Sequence, residues 1–121
     1  MNKRILIIDD EAEILFLLED ILEMAGYQVT TADGAHSAIE MIKSKEFDFI
    51  LSDVKMPKGS GHDLLKYLNE LDKEIKVLLM SGFSDLSNDD AKKLGSLGIV
   101  KKPFDLYGIL ALIKNELETD G

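Results

Sequence analysis

Short apolar or β-branched runs alternate with one-sided apolar stripes along the whole chain. The five runs are bounded by charged or turn-forming residues, which is typical of strands in a covered sheet. The segments between them carry apolar residues at helical spacing on one face. The strands are therefore predicted at residues 4–8, 28–31, 48–52, 75–80 and 99–101. The helices are predicted at residues 11–25, 35–45, 61–71, 84–97 and 106–117, the last of them capped by Asp105.

Strict alternation of five strands with five helices predicts an α/β fold. The strands would form one parallel sheet that is covered by helices on both faces. Right-handed crossovers leave few arrangements, and the doubly wound, flavodoxin-like order 2-1-3-4-5 fits them. The connections are short and no linker is visible, so residues 1–121 are predicted to form a single domain.

Composition narrows the classes of function. The 121 residues carry a net charge of −9, which argues against a basic surface for direct contact with nucleic acid. There is no cysteine, so disulfides and thiolate chemistry are excluded. No apolar run has the length of a membrane span or the pattern of an export signal, so we expect a cytoplasmic protein without membrane insertion.

Two of the predicted strands end in carboxylates. Asp53 follows the third strand, and the sequence Asp9-Asp10-Glu11 follows the first. The order 2-1-3-4-5 makes these strands neighbours, so Asp9, Asp10 and Asp53 are expected at one edge of the sheet. Such a cluster repels itself unless a cation lies in it. Oxygen ligands without a nearby Cys or His favour Mg²⁺ or Mn²⁺ over zinc.

The ligands of this metal can be assigned from the same pattern. Asp10 and Asp53 are predicted to bind it directly, while Asp9 could hold a bound water. The backbone carbonyl of Lys55, just past Asp53, is predicted to be the remaining metal ligand that the protein supplies. Mg²⁺ keeps several waters, which leaves room for a phosphoryl oxygen.

Two further polar residues are predicted at the same edge, where the fourth and fifth strands end. Lys102 offers a positive charge for a phosphate, and Ser81 offers a hydroxyl donor. Pro103 favours extended geometry for Lys102 and would hold it at the strand end. With Asp53 as the nucleophile, these residues form an in-line phosphoryl-transfer site.

Four segments of the chain, taken in their order along it, resemble the receiver domain of two-component response regulators. They are IDDE at 8–11, SDVKMP at 52–57, MSG at 80–82 and KKPF at 101–104. The resemblance covers essentially the whole chain. It implies that Asp53 accepts a phosphoryl group from a phosphohistidine on a sensor histidine kinase or a phosphotransfer protein.

The resemblance also assigns the remaining roles. Asp9 and Asp10 would be the metal-site acids, and Lys102 and Ser81 would bind the phosphoryl group. The domain would catalyse only its own phosphotransfer and dephosphorylation, and its changed surface would act on a downstream partner. It is therefore expected to be a signalling domain and not an enzyme that acts on a separate substrate.

The residue three positions before Lys102, often Tyr or Phe in this family, is Ile99 here. Ile99 is stiff at χ1 and has no polar tip to favour an outward state. We therefore expect phosphorylation to move mainly residues 81–97 and to change Ile99 little. Ser81, where Thr is commoner, and the turn at 58–61, without the usual acidic residue, also depart from the family pattern.

Three other functions are compatible with parts of this pattern. A flavin binder of this fold needs a phosphate loop after the first strand, where Asp9-Asp10-Glu11 would repel phosphate. A phosphohydrolase with an Asp nucleophile there usually has acids two residues apart, whereas Asp9 and Asp10 are adjacent. A receiver-like binding module that is never phosphorylated stays open, because sequence does not report turnover.

The first helix is apolar beyond its core stripe, at Leu15 and Leu22. These side chains either belong to a well-buried helix or form an exposed patch that packs on a helical phosphodonor. The sequence alone leaves both possibilities open.

Overall fold

The computed structural model describes residues 3–54, 61–71, 75–82, 87–102 and 105–118, without the side chains of residues 61 and 62. The strands are β1 (Arg4–Ile8), β2 (Gln28–Ala32), β3 (Phe49–Asp53), β4 (Lys76–Ser81) and β5 (Ile99–Lys101). The helices are α1 (Ala12–Met24), α2 (Ala35–Ser44), α3 (Gly61–Glu70), α4 (Asn88–Lys93) and α5 (Leu106–Glu118). Each predicted element is therefore present. None of the helices in these ranges is long and apolar enough to cross a bilayer.

The five strands form one parallel sheet in the order β2-β1-β3-β4-β5, which confirms the predicted fold class. The register places Ile8 of β1 beside Ser52 of β3. The residue after each of these in the chain is an aspartate, so Asp9 and Asp53 lie side by side at the carboxyl edge.

Side chains on alternate strand positions divide the core into two layers, because successive residues of a strand point to opposite faces. Leu6, Ile8, Ile50 and Leu79 pack with residues of α2, α3 and α4 on one face. Ile5, Ile7, Phe49, Leu51, Leu78 and Met80 pack with residues of α1 and α5 on the other. Burial on both faces explains why β1 and β3 are continuous apolar runs.

Helix α1 buries one of the two leucines that were considered for a surface patch. Leu22 is fully buried in the core, and Leu15 is half-buried against it. The hypothesis of an exposed patch at these two residues is therefore wrong. The large exposed apolar residues of α1 are instead Phe16, Leu17 and Met24.

Helix α4 is shorter than the predicted helix at 84–97. The hydroxyl of Ser87 caps its start by accepting a hydrogen bond from the Asp90 N–H at 3.0 Å. The chain leaves the helix at Gly95, whose φ of +100° favours glycine. Beyond it, the Ser96 hydroxyl donates to the Ala91 carbonyl at 2.7 Å, which holds the chain turned back on the helix. Residues 83–86 lie outside the described residues.

The C-terminal turn of α5 is attached to the edge of the sheet where the strands begin, opposite to the edge that carries Asp9 and Asp53. The Tyr27 hydroxyl donates to Glu118 Oε2 at 3.0 Å, and the Lys76 ammonium donates to the Glu116 carbonyl at 2.6 Å. Burial of the side chain and, to a lesser extent, its contact with Glu118 raise the pKa of Tyr27 to about 12. These contacts join the last turn of α5 to residues beside β2 and β4.

We expect Tyr27→Phe to lower the free energy of unfolding by about 1 kcal/mol at neutral pH, the net value of a typical hydrogen bond. Folding raises the pKa of Tyr27 above its ordinary value of 10.0, so its contribution is complete below pH 10 and declines as the pH rises through about 12. Urea unfolding across this range should show the decline in the parent and a smaller one in Tyr27→Phe. Tyr107→Phe, at an exposed position of α5, is the matched control.

Candidate functional site

The carboxyl edge of the sheet brings together the predicted residues that the structure describes. Asp9 follows β1, Asp53 ends β3, Ser81 ends β4 and Lys102 follows β5. Asp9 is completely buried, whereas 7% of Asp53 and 5% of Ser81 remain exposed. Asp10 is exposed at the start of the first loop. The carbonyl of Lys55, the remaining predicted metal ligand, lies outside the described residues.

The ammonium group of Lys102 is the centre of this arrangement. Its Nζ atom lies 2.7 Å from Asp9 Oδ2, 2.9 Å from Glu11 Oε1 and 3.2 Å from Asp53 Oδ2. Its backbone N–H donates to the carbonyl of Ser81 at 2.8 Å, which fixes Lys102 beside the end of β4. One cation thus bridges residues from β1, β3 and the start of α1.

Both carboxylate oxygens of Asp9 accept hydrogen bonds. The Glu11 N–H donates to Oδ1 at 2.9 Å, and Lys102 donates to Oδ2. Burial nevertheless raises the pKa of Asp9, and the neighbouring charge of Asp53 adds to the increase, although the hydrogen bonds from Lys102 and Glu11 oppose it. The direction of this shift reflects chiefly the cost of keeping an ionised carboxylate out of water.

The pKa of Lys102 moves in the direction that keeps it charged. Burial alone would lower it, but the hydrogen bonds to Asp9 and Glu11 and the charges of Asp9 and Asp53 together raise it well above its ordinary value of 10.5. Lys102 is therefore a permanent cation at neutral pH.

Carboxylate oxygens from Asp9, Asp10, Glu11 and Asp53, one per residue, all lie within 4.8 Å of one another. This acidic cluster could bind a metal ion, and its all-oxygen donor set suits a hard divalent cation. It contains the three predicted carboxylates and one more.

Glu11 is the residue whose role the sequence did not predict. It precedes α1, yet its side chain does not cap the helix and instead contacts Lys102. The signal in the sequence was only its place directly after Asp9 and Asp10. A residue at the start of a helix can point to the helix or to the site, and the pattern does not distinguish the two.

The start of α4 is linked directly to β5. The Asn88 side chain accepts a hydrogen bond from the Ile99 N–H at 2.9 Å, and a Cβ atom at Gly98 would lie 2.5 Å from the same oxygen. Glycine at position 98 therefore leaves room for this contact. The expectation that residues 81–97 move while Ile99 does not stays a prediction, but Ile99 N–H is bonded to the segment expected to move.

This fold and this set of residues define the receiver class, and comparison with known proteins agrees. A sequence model of the family described as "Response regulator receiver domain" matches residues 5–114. The chain therefore belongs to the response regulator receiver domain family.

Individual relatives are similar over nearly their whole length. The chain is 33% identical to sporulation initiation phosphotransferase F of Bacillus subtilis (strain 168), covering 97% of this chain and 95% of that protein. A CheY-like receiver domain protein from Methanospirillum hungatei JF-1 superposes with a TM-score of 0.90 at 32% identity, covering 98% and 95% of the two chains. The beryllofluoride-activated NtrC4 receiver domain dimer superposes with a TM-score of 0.86 at 34% identity, covering 95% and 96%.

Proposed function

We propose that this chain is a phosphorylation-dependent switch of a two-component system. Asp53 accepts a phosphoryl group from a phosphohistidine on a sensor histidine kinase or a histidine phosphotransfer protein, and a downstream partner recognises the changed surface. The observation that carries this proposal is the ammonium of Lys102, which contacts Asp53 and Asp9 together at the carboxyl edge of the sheet.

The described residues support a simple division of labour in the transfer. An oxygen of Asp53 bonds to phosphorus as the phosphorus–nitrogen bond of the donor breaks, and the electron pair of that bond stays with the imidazole. The charge of Lys102, 3.2 Å from Asp53 Oδ2, offsets the negative charge on the phosphoryl oxygens as they approach Asp53. Lys102 and Ser81 then bind phosphoryl oxygens, one as a cation and the other as a hydroxyl donor.

Mg²⁺, or Mn²⁺ in its place, fits the acidic cluster because the donors are carboxylate oxygens close together. Asp9, Asp10, Asp53 and the backbone carbonyl of Lys55 would hold it. When bound, such an ion supplies positive charge against the phosphoryl oxygens.

The names of similar proteins support the same proposal. One relative is called a phosphotransferase, and one similar receiver domain is described as beryllofluoride-activated. Since this chain shares their fold at about one-third identity, we propose that it too is activated by a phosphoryl group or a small fluoride complex at Asp53.

The test is intact-mass spectrometry after incubation with acetyl phosphate and Mg²⁺. The parent is expected to gain one phosphoryl group, and Asp53→Asn is expected to gain none, because an amide oxygen is a far weaker nucleophile than a carboxylate. Omitting Mg²⁺ should abolish the gain in the parent. A folded parent that stays unmodified with saturating donor and Mg²⁺ would instead identify a binding module that is not phosphorylated.

A groove between α1 and α5 is the best-placed surface for the phosphodonor. Its volume is about 430 Å³, and it is lined by Leu17 and Met24 of α1 and by Tyr107 of α5, among others. Leu17 follows Glu11 by six residues, so it lies roughly 9 Å along the helix axis from the site. An apolar surface so close to Asp53 suits a helix that presents a phosphohistidine.

Leu17→Asp is expected to slow transfer from a phosphohistidine donor about tenfold, because it places a charge in a desolvated contact. Labelling by acetyl phosphate, which needs no docking surface, should be unchanged. His36→Asp adds an acid at an exposed position on α2, on the other face of the sheet, and serves as the control. Equal losses with both donors would show that Leu17→Asp damages the fold, and equal rates in parent and variant would exclude this surface.

A further inference from the structure

Glu11 uses both its backbone and its side chain at the site. Its N–H donates to Asp9 Oδ1 at 2.9 Å, and its Oε1 lies 2.9 Å from Lys102 Nζ. The first bond fixes the backbone of Glu11 against Asp9. The second brings a negative charge to the cation that is proposed to bind the phosphoryl group.

Lys102 has three N–H donors, and three carboxylates accept from them. The contacts to Asp9 and Glu11, at 2.7 and 2.9 Å, are shorter than the contact to Asp53 at 3.2 Å. The ammonium therefore lies nearer to Asp9 and Glu11, on the β1 side of the site, than to the nucleophile Asp53. To bind a phosphoryl oxygen as well, it must weaken or release one of these three contacts.

We propose that Glu11 is a positioning residue that holds Lys102 on the β1 side and competes with Asp53 and its phosphoryl group for that cation. The inference rests on the phosphoryl transfer proposed above. Glu11 thereby restrains phosphorylation, and its contact with Lys102 is the one that is released when the phosphoryl group arrives.

Exposure identifies Glu11 as the partner that gives way. The Glu11 side chain is 59% exposed, whereas that of Asp9 is fully buried. Water can replace Lys102 at Glu11, but the buried carboxylate of Asp9 would be left without its cation. The carboxylate of Glu11 also lies within 4.8 Å of that of Asp53, so it repels an incoming phosphate. Both effects predict that removal of this charge favours transfer.

Glu11→Gln is therefore expected to accelerate labelling by acetyl phosphate at saturating Mg²⁺ roughly two- to fivefold, the range that corresponds to an exposed ion pair. Glu13→Gln removes the same formal charge from an exposed position in the first turn of α1. The Glu13→Gln variant should be labelled by acetyl phosphate at the parental rate. Saturating Mg²⁺ separates this effect from any change in metal affinity.

The second measurement follows Lys102 itself, by NMR of its side-chain ammonium in the unphosphorylated protein. Glu11→Gln should shift the Nζ resonance and speed exchange of its protons with water, whereas Glu13→Gln should do neither. Provided that the parent is labelled, any of three results would overturn the inference. These are an unaltered ammonium signal in Glu11→Gln, a labelling rate of Glu11→Gln that is unchanged or slower, and equal effects of the two variants. If the parent itself is not labelled, the proposed function fails and this inference fails with it.

Discussion

Lys102→Met is expected to lower the free energy of unfolding by on the order of 3 kcal/mol and to slow labelling of Asp53 about a hundredfold. The Lys102 side chain is only 12% exposed and contacts the fully buried carboxylate of Asp9 at 2.7 Å. Its removal leaves Asp9 beside Asp53 without a cation, and breaking a buried ion pair from one side costs more than losing a surface pair.

The pH dependence gives this prediction a second readout. Burial already raises the pKa of Asp9 above its ordinary value of 3.8, and the variant also loses the hydrogen bond from Lys102 that opposes this rise. A pKa that is higher in the folded state favours folding at low pH, and the benefit is lost as the pH rises through it. The deficit of Lys102→Met relative to the parent should therefore be largest at neutral pH and shrink on acidification.

Chemical unfolding in EDTA, at neutral and acidic pH, measures both effects. Lys101→Met is the matched control, because Lys101 is the preceding residue and is exposed. A Lys102→Met variant as stable as Lys101→Met at neutral pH would contradict the assignment of Lys102 as the cation that balances this site.

The fold was predictable because its signals are redundant. β1 and β3 carry apolar residues on both faces and the helices on one, so the layers and the position of Asp53 at a strand end follow from the pattern. Right-handed crossovers leave few strand orders, and the observed one is among them. Helix α4 carried a weaker signal. Its end depends on the backbone of Gly95 and on the hydroxyl of Ser96, and such local contacts leave no apolar period to recognise.

The predicted residues that the structure describes lie together at one edge of the sheet, but not all of their contacts were predicted. Strand ends gave the positions of Asp9, Asp53, Ser81 and Lys102. They did not indicate that Glu11 would bond to Lys102, since that contact joins residues 91 positions apart through the rotamers of two long side chains.

The sequence left the exposed face of α1 undecided for a related reason. A helical wheel gives the direction of each side chain but not which neighbouring element covers it. Leu22 faces the sheet and α5 and is buried there, whereas Leu17 lies at the edge of this contact and stays 47% exposed. The position of α5 decides between them, and it is a tertiary property.

We further expect Mg²⁺ to stabilise the protein and Asp53→Asn to reproduce part of that effect without metal. Among the described residues, four carboxylates lie within 4.8 Å of one another and the ammonium of Lys102 contacts three of them, so their charge is unbalanced when all are ionised. Replacing Asp53 removes one attraction to Lys102 at 3.2 Å and its repulsions with three acids at up to 4.8 Å. Because Coulomb energy falls only as the inverse of distance, the three repulsions outweigh the one attraction.

At ten times its dissociation constant, Mg²⁺ should add about 1.4 kcal/mol to the parent, or roughly 4–7 °C in melting temperature. In EDTA, Asp53→Asn should be more stable than the parent by on the order of 1 kcal/mol and should respond less to Mg²⁺. NaCl at equal ionic strength and Asp20→Asn, an exposed acid of α1 outside the cluster, are the controls. A parent that melts at the same temperature with and without Mg²⁺, together with an Asp53→Asn variant no more stable than Asp20→Asn, would exclude a metal site in this cluster.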